Sequence, residues 1–274
     1  MIQYHFFETD KRLSTYISAY ALMEVEEGIS SPLLSPPNGL TGFLIRIKSD
    51  KNANVFAEDF EGKPIAHQHS YVIGQTTFPI TGYVVGQLTF LVVFFHPLGM
   101  HQLFGCKMNT LTNKSVDLID FLGVEKAELL LQKLKLTDDR NELINILNYF
   151  FMQQKTLADD YSFLNKALQL IHKAEGNINI KTIEEKIQIN RRTLERHFND
   201  KVGISPKVYA QIFRFKCAMN YLQANPKTTW SALTYNNGFY DQPHLIKYFK
   251  EYLKVSPNKL VQLDVEFINH LLKY

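Results

Sequence analysis

The sequence predicts an α+β fold: a β-rich N-terminal sandwich or small barrel with a helical hairpin, then an all-α domain. That second domain consists of two helix-turn-helix units joined by a long helix. Three observations lead there. Short runs of β-branched and aromatic residues, broken by Gly and Pro, fill roughly the first hundred positions. Leu and Ile then recur at three- and four-residue spacings. Finally, the last hundred or so residues contain a weak internal repeat. A chain of 274 residues suits two cores, expected over residues 1–155 and 160–274.

Within the first part, Thr41–Ser49 and Ser70–Thr77 read as strands. Gln87–Phe95 (QLTFLVVFF) is apolar at every other position and between them, as a strand buried on two sides should be. Turn signals separate these segments at Pro36-Pro37-Asn38-Gly39, Gly62, Gly82, Gly86 and His96-Pro97-Leu98-Gly99. Helices are expected over Val124–Leu136 and Asp139–Phe151, with Thr137-Asp138-Asp139 as turn and cap. Polar Gln153–Tyr161 marks the boundary. From Ser162 onward there is almost no strand signal.

Charge is divided unevenly. Residues 1–159 hold 13 Lys+Arg against 17 Asp+Glu, a net of −4; residues 160–274 hold 17 against 10, a net of +7; together they give the overall +3. A basic C-terminal half suits an anionic partner such as nucleic acid, although a solvated lysine-rich face gives the same count. The N-terminus has no secretory-leader pattern, and the apolar run Phe90–Met100 is too short to span a bilayer. A soluble cytoplasmic protein without membrane contact is expected, its Cys106 and Cys217 acting as small hydrophobes rather than a disulfide.

The repeat pairs Ile180 with Trp230, Ile183 with Leu233 and Ile189 with Phe239 at an offset of 50, then Leu194 with Leu245, Phe198 with Phe249 and Pro206 with Pro257 at 51. One residue is therefore inserted in the second turn. Each copy reads as two helices with polar caps, Asn179 and Asn190 in the first, Thr229 and Asp241 in the second. Pro243 fits a first helical turn. With Leu194 and Phe198 inward, Arg191, Arg192, Glu195 and Arg196 face out; with Leu245 and Phe249 inward, Gln242, Pro243, Ile246, Lys247 and Lys250 face out. Arg, Gln and Glu are the side chains that pair with guanine, adenine and cytosine edges in the major groove.

These residues resemble the AraC/XylS family of transcription regulators. The matching pieces are Leu194-Glu195-Arg196-His197-Phe198, Gly203-Ile204-Ser205-Pro206, Arg214 with Ala218 and Leu222, Gly238-Phe239-Tyr240-Asp241-Gln242-Pro243-His244-Leu245, Phe249-Lys250 and Ser256-Pro257. The resemblance implies two DNA-reading units joined by a helix over about Ser205–Ala224. It places base contacts on Arg192, Glu195, Arg196, Gln242, Pro243, Ile246 and Lys247, and gives Arg214 a structural role, expected as an ion pair. Departures stand at Glu184 and Thr234, where small residues are usual, and at Gln188, where a turn glycine is usual. Pro243 and Ile246 cannot make bidentate base contacts, so the second unit is expected to read DNA more through backbone and shape. More loosely, Tyr71–Thr76, Phe95–Gly99 and Leu111–Asn113 resemble the sensor-like domain of one subgroup, which implies effector sensing, dimerisation or both. The implied partners are promoter DNA, RNA polymerase, a small-molecule effector and a second copy of the chain. Whether the protein activates or represses stays open.

No phosphate-binding glycine loop and no nucleophile with an identifiable base is present, so no enzyme and no cofactor is expected. His67, His69, His96 and His101 raise a competing possibility, a cupin-like metal-binding or enzymatic N-terminal domain, but the carboxylate that would follow His-x-His is missing. Phe43, Tyr71, Phe90 and Phe94 are candidates for lining a ligand pocket or simply for the core. The Leu-rich helices at 124–151 are candidates for a dimer surface or for packing with both faces against the β domain and the DNA-binding domain.

Overall fold

The computed structural model describes residues 2–26, 33–50, 53–58, 64–67, 69–255, 268–269 and 272. Ten strands precede most of the helices: β1 Ile2–Phe7, β2 Ile17–Val25, β3 Leu33–Ser35, β4 Thr41–Ser49, β5 Asn54–Glu58, β6 Pro64–His67, β7 Tyr71–Ile73, β8 Ile80–Val85, β9 Leu88–Phe95 and β10 Ser115–Asp117. They form two antiparallel sheets, ordered β1-β2-β9-β4-β7-β10 and β3-β8-β5-β6.

The larger sheet is covered on both faces, and its strand parity shows how. Leu88, Phe90, Val92 and Phe94 of β9 point with Ala19, Ala21 and Met23 of β2 into the space between the sheets. The intervening Leu91, Val93 and Phe95 point the other way, with Phe43 and Ile45 of β4. This second face is covered by helices α1 Gly99–Phe104, α2 Leu118–Leu122, α3 Val124–Lys135 and α4 Arg140–Met152. Two-sided burial is why β9 carries no polar alternation. Phe43 sits at the centre of an aromatic cluster, 5.1 Å from the Phe95 ring and 5.9 Å from Phe151.

The Leu-rich hairpin therefore finds its partner within the chain. Ala127, Leu130 and Leu134 of α3, with Leu143, Ile144, Leu147 and Phe151 of α4, are buried against the sheet. Leu129 and Leu136 remain exposed. Asp139 caps α4 as expected, its carboxylate accepting from the Glu142 N–H.

One expected strand is shorter in the structure. Ser70–Thr77 contributes only β7, because the chain leaves the sheet at Gly74. A Cβ there would lie 2.0 Å from the Leu111 carbonyl oxygen, so only glycine allows the turn at 108–114 to approach.

The rest is helical: α5 Ser162–Lys173, α6 Ile180–Ile187, α7 Arg191–Lys201, α8 Pro206–Ala224, α9 Trp230–Asn236 and α10 Gln242–Leu253. Ser256-Pro257 of the repeat lies outside the described residues. The helical core joins Leu164 and Ile171 of α5 to Ile183, Leu194, Phe198, Phe215, Leu233, Leu245 and Phe249, and it takes in Leu34 and Leu98 from the β domain. Cys106 and Cys217 are both free and half-buried. No helix among the described residues is long and apolar enough to cross a membrane.

Arg214 has a structural place, but not in the expected ion pair. It is buried and pairs with no carboxylate among the described residues; its Nε donates to the Asn237 carbonyl at 3.0 Å and its guanidinium lies 4.2 Å from the Phe239 ring centre. It thus ties the joining helix to the second turn through a hydrogen bond and a cation–π contact. Burial holds its pKa below the ordinary value.

Lys216, two residues along α8 and also buried, has its pKa pushed down by burial from 10.5 to about 8. Between those values the unfolded chain keeps a proton that the folded chain has shed, so this group makes stability rise with pH across that window. Lys216→Met is expected to abolish that contribution and to stabilise the protein at neutral pH. Urea unfolding of both proteins at pH 7 and pH 9.5 measures it: the stability gap between variant and parent should narrow at the higher pH.

Candidate nucleic-acid interface

Each helix-turn-helix unit starts from a side-chain cap. Asn179 accepts from the Lys181 N–H, Asn190 from Thr193, Thr229 from Ala232 and Asp241 from His244. Ser205 caps α8 in the same way, with Pro206 in its first turn. Four of these five caps open the helices of the repeat, so its start signals work as local chemistry predicts.

The inward pairs are equally plain. Leu194, Phe198, Leu245 and Phe249 are all fully buried. Each pair is four residues apart and anchors one side of its helix, which presents the opposite side to solvent. On α7 this exposes Arg191, Arg192 and Arg196 in the first two turns; Glu195 is half-buried and accepts a 2.8 Å bond from Arg191 Nε. On α10, Gln242, Pro243, Ile246, Lys247 and Lys250 are exposed. Gln242 Nε2 donates to Ser231 Oγ on α9 at 2.8 Å, which holds the amide near the helix start while leaving its carbonyl oxygen available.

The departures at the turns have local explanations. Gln188 ends α6 in the left-handed conformation at φ 58°, and Gly238 takes the matching place in the second unit at φ 64°. A non-glycine residue there costs roughly 1 kcal/mol. Thr234 satisfies its buried hydroxyl by donating to the Trp230 carbonyl one turn back. Glu184 is half-buried beside the start of α7, where its charge acts on Arg191.

Sequence reasoning missed Tyr235 and Tyr240, which are 85% and 93% exposed. Phe239 is buried where Ile189 is half-buried, and Asp241 caps where Asn190 caps. Tyr240 is therefore the extra residue of the second turn. The change of offset from 50 to 51 marks this insertion in the sequence; its exposure is what the fold adds.

The far end of α7 is held by the β domain. Val202 and Gly203 N–H groups both return to the Phe198 carbonyl, with Gly203 at φ 103°. A Cβ on Gly203 would lie 3.2 Å from both the Met108 carbonyl oxygen and Thr112 Oγ1, and Thr112 donates to the Gly203 carbonyl. Asn109 reaches Asp200 at 3.4 Å. Buried Lys201 pairs with Asp159 and lies 4.6 Å from the Tyr161 ring centre. The fully buried Gln75 side chain donates to the Gly39 carbonyl at 2.9 Å, and the Gln75 backbone carbonyl accepts from the Asn113 N–H. Gln75 Cγ is 3.4 Å from the position of a Gly203 Cβ.

Beside this contact the two sheets enclose a cavity of about 190 Å³, whose wall includes Phe6, Tyr71, Phe90, Phe94, Gly74 and Asn113. Three of the four proposed lining aromatics are there. Phe43 is not, because strand parity turns it to the helix-covered face. On the same wall, Thr41 Oγ1 is a buried hydroxyl with no hydrogen-bond partner among the described residues. Among the described residues no group of His, Cys, Asp and Glu is placed to hold a metal ion. His101 Nδ1 lies 2.7 Å from the Cys106 carbonyl, His69 is exposed, and the His67 side chain lies outside the described residues.

Two family models match the chain. Residues 183–262 match the family model described as a helix-turn-helix domain, and residues 5–117 match a domain of unknown function, DUF6597. The C-terminal part of the chain is thus similar to a helix-turn-helix domain, and the N-terminal part to the DUF6597 domain. The Msm operon regulatory protein of Streptococcus mutans is 29% identical over 99 residues, 36% of this chain. The chain spans about a third, 35%, of that relative's length. Among solved structures, ToxT from Vibrio cholerae is 11% identical, with 96% of this chain and 99% of that chain covered at a TM-score of 0.48. The unsaturated fatty acid-bound form of ToxT is 13% identical, with 94% and 97% covered at 0.47.

Replacing Gln188 by Gly tests the left-handed turn. It is expected to raise stability by about 0.5–1 kcal/mol in chemical denaturation, since relief of the backbone strain outweighs the added freedom of the unfolded chain.

Proposed function

We propose that the protein is a one-component transcription regulator that binds promoter DNA sequence-specifically through α7 and α10. The observation that carries this reading is the pair of capped recognition helices, each anchored by a buried Leu/Phe pair and each turning polar or cationic side chains to solvent. In the first unit Arg192 and Arg196 read guanine edges, with Glu195 held against Arg191 as a cytosine acceptor. In the second, Gln242 reads adenine, while Lys247 and Lys250 neutralise phosphates. Pro243 and Ile246 complete the contact face.

We take the chain as two domains, 1–155 and 160–274, and assign effector sensing to the first. The apolar cavity, with a Thr41 hydroxyl that has no partner among the described residues, suits a small, largely apolar molecule that offers one hydrogen-bonding group. Gly74 and Asn113 in its wall adjoin Gln75, which touches Gly39 and the Gly203 turn at the end of α7. Filling the cavity thereby biases how the first recognition helix is held. Working on promoter DNA places the protein in the cytoplasm with RNA polymerase, as a homodimer or a monomer. It carries out no reaction of its own.

Arg196→Ala is expected to cost roughly 1–3 kcal/mol on a selected DNA fragment and to relax preference at one base pair. Electrophoretic mobility shifts on the fragment and on single-base variants measure this; equal weakening on all DNA would make Arg196 a phosphate contact instead. Parent affinity should fall linearly in log K against log salt.

A further inference from the structure

The two recognition helices are alike on the inside and unlike on the outside. Counting from the caps Asn190 and Asp241, Arg192 corresponds to Pro243, Glu195 to Ile246 and Arg196 to Lys247. At two of the three positions, a hydrogen-bonding side chain in the first unit becomes an aliphatic one in the second. Pro243 and Ile246 are three residues apart, so they lie on one face. Both are exposed, Ile246 by 36%, although Leu245 and Phe249 beside them are fully buried. Lys247 and Lys250, also exposed, border the pair. The result is an aliphatic spot within a cationic face.

A lone exposed aliphatic side chain needs no explanation. Two that share one face, at the positions where the sister helix carries Arg and Glu, call for a complementary surface. The partner must be apolar at its centre and anionic around it. In the major groove, the C5-methyl of thymine is the apolar group that base edges present, and phosphates border the groove on both sides. We infer that the second unit reads thymine through its methyl group, using Pro243 and Ile246, while the first unit reads by hydrogen bonds. This assignment rests on the DNA-binding reading above. It replaces shape alone with a specific contact for the second unit.

Thymine-to-uracil exchange isolates that contact, since it removes one methyl group and keeps every hydrogen-bonding edge. The full chain is first used to select a tight-binding duplex. Each thymine in it is then replaced singly by deoxyuridine, and affinities are measured for the parent, Ile246→Ala and Ile246→Val. One or two positions are expected to lose about three- to tenfold in parent affinity, as burying a single methyl group implies. At those positions Ile246→Ala should be indifferent to the exchange and should bind thymine DNA about as weakly as the parent binds uracil DNA. Ile246→Val should keep most of the sensitivity, and retained helical circular dichroism confirms that the variants are folded. Parent binding that is indifferent to uracil at every position overturns the inference while leaving DNA binding intact. So does an Ile246→Ala loss that simply adds to the uracil loss. Failure of the parent to bind any duplex at low salt overturns the DNA-binding reading itself, and this inference with it.

Discussion

The architecture of the helical domain depends on one repeated packing arrangement, an aliphatic and an aromatic side chain four residues apart, buried completely beneath each recognition helix. Leu194 with Phe198, and Leu245 with Phe249, fix which side of each short helix faces the core. A helix of only 11 or 12 residues is marginal in water by its own propensity. Its orientation therefore comes from this burial together with the cap at its start. Once the inward pair is set, geometry decides which residues meet solvent, and that exposed side is where the sequence places arginine, lysine, glutamine and two aliphatic residues. Arg214 extends the same logic to the second turn, held by a carbonyl and an aromatic face rather than by a carboxylate.

The β domain touches the helical domain at the C-terminal end of α7. Gly203 allows the turn around Met108 and Thr112 to approach the helix exit, and Gln75 links that turn to the loop at Gly39. Leu34 and Leu98 enter the helical core from the β side. The first recognition helix is thus supported by both domains. Contacts of the second unit's α10 run to α8, to α9 and to the helical core. Any influence of the β domain on DNA reading is expected to act first on the arginine-bearing unit.

The helical half was the more legible in sequence. Caps, inward pairs and the joining helix are local signals, and Asn190, Asp241 and Ser205 each do what their chemistry favours. Strands such as β4 and β9 could also be located, β9 with its two-sided burial. Their pairing could not, because the sheet order places β9 between β2 and β4, a contact made only by the folded chain. The shortening at Gly74 came from a distant turn at Leu111. Phe43 was assigned to a possible pocket because composition says nothing about strand parity. The insertion in the second turn was readable from the change of offset, but not that it leaves Tyr240 exposed. Of the exposed faces of α7 and α10, residue types and approximate positions were readable; the tether from Gln242 to Ser231 and the support of α7 by the β domain were not.

Both units are expected to face one duplex together. Hydroxyl-radical footprinting of the full chain on its selected DNA tests this most directly. The account predicts two protected patches on the same face of the duplex, centred about one helical turn, roughly 10 base pairs, apart. A single patch, or two patches on opposite faces, would contradict it.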